Sequence, residues 1–135
     1  MTKQHRSSCP VSIALDLIGD RWSLLVVRDL LFRGPLSFSD FEGSPEGIAP
    51  NILTARLRAL ESSSLITRHR NESDGRRWEY RLTTRGLDLA DVVVTLMQWS
   101  SRYEQTILTA DEVALLNSAP GEMVAVMRAR WKAYL

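Results

Sequence analysis

Three features of this sequence predict a mainly α, α+β fold in which amphipathic helices flank one two-stranded antiparallel hairpin. Apolar residues recur at three- and four-residue spacing along most of the chain, the period of an α-helix. Around the turn sequence SDGR, residues 73 to 76, that period gives way to strict alternation. Finally, Cys9-Pro10, Gly34-Pro35 and the Gly43 to Gly47 stretch cut the helical pattern into short pieces.

The elements follow in order. Pro10 suits the first position of a helix through VSIALDLI, which Gly19 ends. Asp20 is placed to cap RWSLLVVRDLL, where Trp22, Leu25, Val26 and Leu30 keep helical spacing and mark a central core helix. Ser37 with Asp40 three residues on is a capping-box pattern for a short helix in SFSDFEG. A turn containing Pro45 leads to IAPNILTARLRALESSSLI, a helix with Pro50 in its first turn. Leu53, Leu57 and Leu60 form its apolar stripe, Asn51, Ala55, Arg58 and Ser62 fall roughly opposite, and Thr54 lies on the flank. That outward face lacks the usual Glu/Lys mixture.

LITRHRNE and RRWEYRLT read as strands, with Trp78, Tyr80 and Leu82 on the inward side. A long helix is predicted from about Thr84 to Gln105. Its Leu89, Val92, Val93, Leu96, Trp99 and Tyr103 make a stripe that Leu87, Val94 and Met97 widen. A helix apolar over so wide an arc is buried on more than one side, so a second copy of the chain is expected against it. Thr109 with Glu112 opens a short helix, and a last helix from Pro120 carries Val124, Met127 and Trp131 on one face. That last face offers either an intrachain cover or more surface between copies, and the second is favoured. The organisation expected is residues 1–105, including the long helix, with 106–135 as a helical extension of the same compact unit.

A short capped helix, a glycine-containing turn and a longer polar-faced helix make a helix-turn-helix, and the hairpin after them makes it winged. The helices at both ends are then expected to serve dimerisation. Net charge is only +1, but residues 48 to 86 hold eight arginines against four acids. Positive charge concentrated beside the polar-faced helix suits double-stranded DNA. A major groove about 12 Å wide admits such a helix. Pro50, Asn51, Thr54, Ala55 and Arg58 are the residues expected to read it: Asn51 suits adenine, Arg58 guanine or phosphate, and Thr54 or Ala55 a thymine methyl. Ser37, Ser39 and Arg56 are expected at the DNA backbone, where Arg56 could instead pair with Glu61 or another acid. Arg76 and Arg77 at the wing tip suit the backbone or a narrow minor groove.

Enzymatic chemistry fares poorly. His5 and His69 are the two histidines, and His5 with Cys9 offers two ligands where a metal site needs three or four. No glycine-rich phosphate loop occurs, so neither metal nor cofactor is expected. MTKQHRSSCP has no apolar stretch typical of a secretory leader, no run is long enough to span a bilayer, and one cysteine suits a reducing cytoplasm. Cys9, where Pro10 starts a helix, is a candidate redox sensor; the alternative is an inert thiol buried between subunits.

In Cys9-Pro10, ALDLIGDRW (14 to 22), LLVVRDLL (24 to 31), FSDF (38 to 41), LTARLRALESSSLI (53 to 66), YRLTTRG (80 to 86) and Trp99, the sequence resembles the HxlR-type winged helix-turn-helix regulators. The resemblance covers about residues 9 to 103. It implies a homodimeric bacterial or archaeal DNA-binding transcriptional regulator, more often a repressor, acting on a pseudo-palindromic operator. Responses to a small molecule or to redox stress are common in that family, and some members use a cysteine at the position of Cys9. Ala49 departs from the family's Ser or Thr before the reading helix. The competing reading is a winged-helix module for protein-protein contact.

Overall fold

A computed structural model describes residues 4–135. The elements are α1 (Pro10–Ile18), α2 (Ser23–Arg33), α3 (Phe38–Glu42), α4 (Pro50–Ser62), β1 (Ile66–Arg70), β2 (Trp78–Leu82), α5 (Thr84–Leu87), α6 (Ala90–Tyr103), α7 (Ala110–Ser118) and α8 (Pro120–Trp131), with a final 3-10 turn at Lys132–Tyr134.

Helix α2 runs through the centre, with Val27, Leu30 and Leu31 wholly buried. Asp20 caps it as expected, but from two residues upstream. One carboxylate oxygen accepts the Trp22 and Ser23 amides, each at 2.9 Å, so the helix starts at Ser23. Ser37 and Asp40 form the full capping box of α3. Strands β1 and β2 pair antiparallel, Ile66 opposite Leu82 and Arg70 opposite Trp78. Leu36 adds a bridge that the alternation did not announce: its amide and carbonyl both bond Tyr80, stitching the α2–α3 connection to the hairpin.

The long helix expected from Thr84 to Gln105 is broken. Thr83 accepts the Gly86 amide, capping the single turn of α5, and donates its hydroxyl to the Ser64 carbonyl at 2.6 Å. Gly86 lies so close to the turn after α4 that a Cβ there would sit 2.1 Å from the Leu65 carbonyl oxygen. The first turn is thus docked on the end of α4, and α6 leaves after Leu89 as a separate helix.

A second correction concerns the C-terminal extension. Val124, Met127 and Trp131 are buried within their own chain, Trp131 completely. The Trp131 indole donates to the Leu30 carbonyl at 2.9 Å and Arg130 to that of Leu31 at 2.7 Å, so α8 bonds two carbonyls in the last turn of α2. This face is an intrachain cover, not the surface between copies that its periodicity suggested.

Candidate nucleic-acid interface

The site begins with how α4 is held. Leu53, Leu57 and Leu60 are buried in the common core, which fixes the helix's rotation. Asn51, Ala55 and Arg58 consequently face solvent, as does Pro50, with Thr54 half-exposed beside them. The Thr54 hydroxyl donates back to the Pro50 carbonyl at 2.9 Å, which orients it and leaves its methyl group and a lone pair outward. No side chain caps the start of α4, where Ala49 stands. The amides of its first turn therefore keep free donor capacity, the arrangement that favours an anion. Ile52, 37% exposed next to this face, was missed; the helical stripe gave no reason to place an isoleucine outside it.

The turn before α4 is anchored by residues the sequence did not single out. Asp29 is buried on α2 and accepts the Ser44 hydroxyl and the Arg28 guanidinium. Arg28 also grips Glu46 with two hydrogen bonds of 2.8 Å. Those bonds from Arg28 hold the Glu46 carboxyl below its ordinary range. These bonds fasten the turn before α4, and with it the start of α4, to α2.

The expected backbone contacts divide. Ser39 is exposed on α3. Ser37 is buried, and its hydroxyl is occupied: it donates to Asp40 at 2.9 Å and accepts Arg77 at 2.7 Å. Partial burial pushes the Asp40 carboxyl up, but the Ser37 amide and hydroxyl, with Arg77 nearby, bring it net below the ordinary carboxylate value. Arg56 pairs with Asp20 at 3.4 Å rather than with Glu61. Asp20 is likewise raised by burial and lowered further by Ser23, the Trp22 amide and Arg56. At the wing, Arg76 is almost fully exposed beside Asp74, whereas Arg77 bends back onto α3. Arg77 thus joins the wing to the helix-turn-helix across forty residues of sequence.

Helix α6 has two apolar sides. Ala90, Val93 and Val94 face the core, with Leu89 partly buried. Val92, Leu96, Trp99 and Tyr103 face outward, Trp99 and Tyr103 at 62% and 68% exposure with their rings 6.1 Å apart. Of the six residues expected between subunits, Val93 therefore belongs to the chain's own core. An open apolar groove of about 470 Å³ lies beside this face, lined by Leu24, Phe32, Leu96, Met97, Ile107 and Met123 among others. Cys9 caps no amide with its sulfur and is exposed at the start of α1 in the single chain. No helix among the described residues is long and apolar enough to cross a membrane.

Comparison with known proteins places this geometry. The profile of the HxlR-like helix-turn-helix matches residues 17–107. An uncharacterized HTH-type transcriptional regulator of Mycobacterium tuberculosis is 42% identical over 93 residues, covering 69% of this chain and 58% of that protein. The chain thus spans about three fifths of the length of that relative. Among solved structures, PA1607, a candidate transcription factor, is similar with a TM-score of 0.67 at 42% identity, over 79% of this chain and 71% of that one. The oxidized form of the redox regulator HypR is similar with a TM-score of 0.64 at 27% identity, over 73% of this chain and all of that one.

Proposed function

The chain belongs to the HxlR-like helix-turn-helix family, and from that premise we propose that it is a sequence-specific DNA-binding transcriptional regulator, a repressor acting as a homodimer. The observation that carries this reading is the outward face of α4. Asn51, Ala55 and Arg58 are exposed there, no acid interrupts them, and the opposite side is locked in the core. Such a face offers base edges an amide, a methyl-sized gap and a guanidinium. Pro50 and the uncapped first turn would lie at the phosphates, with Ser39 on α3 and Arg76 on the wing. Ser37 and Arg56 would act through the side chains they hold.

In this reading the outer face of α6 meets its counterpart on a second copy. Large apolar side chains clustered in water on one helix face mark a protein contact. Two-fold pairing would place two α4 helices about one DNA turn, roughly 34 Å, apart on a pseudo-palindrome. A signal has two places to enter: the exposed Cys9 for an oxidant or electrophile, and the apolar groove beside α6 for a small molecule. Neither metal nor cofactor is needed.

The test is a salt titration of binding to the DNA flanking the protein's own gene. Affinity should fall steeply with salt, the logarithmic slope being about −0.9 per phosphate contact. A flat response would reject the DNA reading and favour a protein partner for the same face.

A further inference from the structure

The wing carries two arginines on β1 besides the pair at its tip. Cross-strand partners share a face, so Arg68 opposite Tyr80 and Arg70 opposite Trp78 lie on the side that holds Ile66 and Leu82. That side is turned toward the helix-turn-helix, because Tyr80 is buried on it and meets Phe41 of α3 edge-on at 6.1 Å. Trp78 is one pair nearer the tip, beyond the reach of the core, and stays 37% exposed. What covers it is charge: the guanidinium carbons of Arg68 and Arg70 lie 4.4 and 4.5 Å from its ring centroid. Arg70 also donates to the Gly75 carbonyl, tying its strand to the tip turn.

The other wing and reading-helix arginines are mostly engaged. Arg56, Arg76, Arg77 and Arg81 each pair with an acid. Among the described residues, no such ion pair involves Arg68 or Arg70. Two like charges beside one indole repel each other, and the ring's negative face offsets part of that repulsion. Both side chains stay exposed, so donors beyond the Arg70 bond to Gly75 and the Arg68 contact with Tyr80 face water, while the stack removes much of the rotamer freedom that binding would otherwise have to remove. A planar guanidinium held in place suits a phosphate, which it can grip with two parallel bonds.

Resting on the DNA reading above, we propose that Arg68 and Arg70 are the wing's main phosphate contacts and that Trp78 is a positioning residue holding both against the duplex. The wing then grips DNA by the face turned toward the helix-turn-helix, and the tip arginines add less. Trp78 touches no nucleotide.

The experiment is a salt titration with a mixed-sequence DNA duplex, comparing wild type, R68A/R70A, W78L and W78F. R68A/R70A should flatten the logarithmic slope by about 0.9 for each arginine. W78L keeps an apolar side chain but no π face, and should weaken binding by about threefold or more; W78F should retain most of the affinity. In the R68A/R70A background W78L should have no further effect, with melting temperatures close to wild type throughout. An unchanged slope in R68A/R70A overturns the proposal, as does a W78L effect of equal size once the arginines are gone. Should W78L fold poorly, the R68A/R70A slope and W78F still decide. A flat response in wild type would sink the DNA reading itself, whereas a steep one indifferent to R68A/R70A sinks only this inference.

Discussion

Helices α4 and α6 share a core and differ in what they show to the outside. Leu53, Leu57 and Leu60 of α4 and Ala90, Val93 and Val94 of α6 are all buried in it. Outward, α4 presents Asn51, Ala55 and Arg58, while α6 presents Val92, Leu96, Trp99 and Tyr103. The first face is comfortable in water but rich in groups that discriminate among hydrogen-bonding partners. The second is costly in water and gains from any apolar cover. One fold therefore exposes two surfaces with different demands, and the proposed function assigns the first to DNA and the second to another copy of the chain. Both inner faces serve burial in one core, so what sets the two helices apart is the outer face.

The comparison assumes that both inner faces belong to one core, and Trp131→Ala tests that most severely. Losing a fully buried indole and its bond to Leu30 should destabilise the chain by about 3–5 kcal/mol in chemical denaturation. A loss under about 1 kcal/mol would mean that α8 is not part of the core covering α2 and α6. Next comes the outer face of α6. Trp99→Glu should leave the monomer's melting behaviour nearly intact yet weaken self-association by about 2 kcal/mol or more, read by sedimentation equilibrium. If association is untouched, the apolar outer face has another use and the contrast with α4 fails.

For α4, Arg58→Ala should cost specific binding about 1–3 kcal/mol while sparing dimerisation, the mirror image of the Trp99 variant. Equal losses on operator and random DNA would reassign Arg58 from base to phosphate. The smallest effect concerns the carboxylates that brace the reading unit. Asp20 and Asp40 have folded-state pKa values below their unfolded ones, so each contributes stability above the unfolded pKa of about 4 that is lost as pH falls through the folded value. Asp40→Asn should therefore flatten the acid limb of a stability-versus-pH curve and loosen the α3–wing contact, leaving the neutral plateau lower. An acid limb as steep as wild type would show that Asp40 does not carry that linkage.

The two helices also differ in how far the sequence disclosed them. The stripe of α4, its Pro50 start and the Ser37–Asp40 box before it are local patterns, and they foretold the helix, its rotation and which of its residues face outward. The hairpin's alternation was local too, and it placed Tyr80 and Leu82 inward correctly. Trp78 continued the same alternation but ended outside the core, because the hairpin outruns the helices beneath it. For α6, periodicity announced two buried sides without saying what would bury them. What covers one side is α8, far along the chain, whose Trp131 bonds an α2 carbonyl about a hundred residues away. The break before α6 was equally hidden, since Gly86 matters only through its approach to Leu65. Arg77 reaching Ser37 and Arg56 reaching Asp20 are contacts of the same kind. Side chains whose duty is to a distant neighbour look, in sequence, like free surface.

The claim that α4 reads DNA while α6 pairs two copies is tested most directly by footprinting the protein on the DNA flanking its own gene. Wild type should protect two major-groove patches centred about 34 Å apart on one side of the duplex. Trp99→Glu should reduce these to weak protection of single half-sites, and Arg58→Ala should lose both together. A single protected patch that Trp99→Glu leaves intact, or protection that survives Arg58→Ala unchanged, would contradict the account.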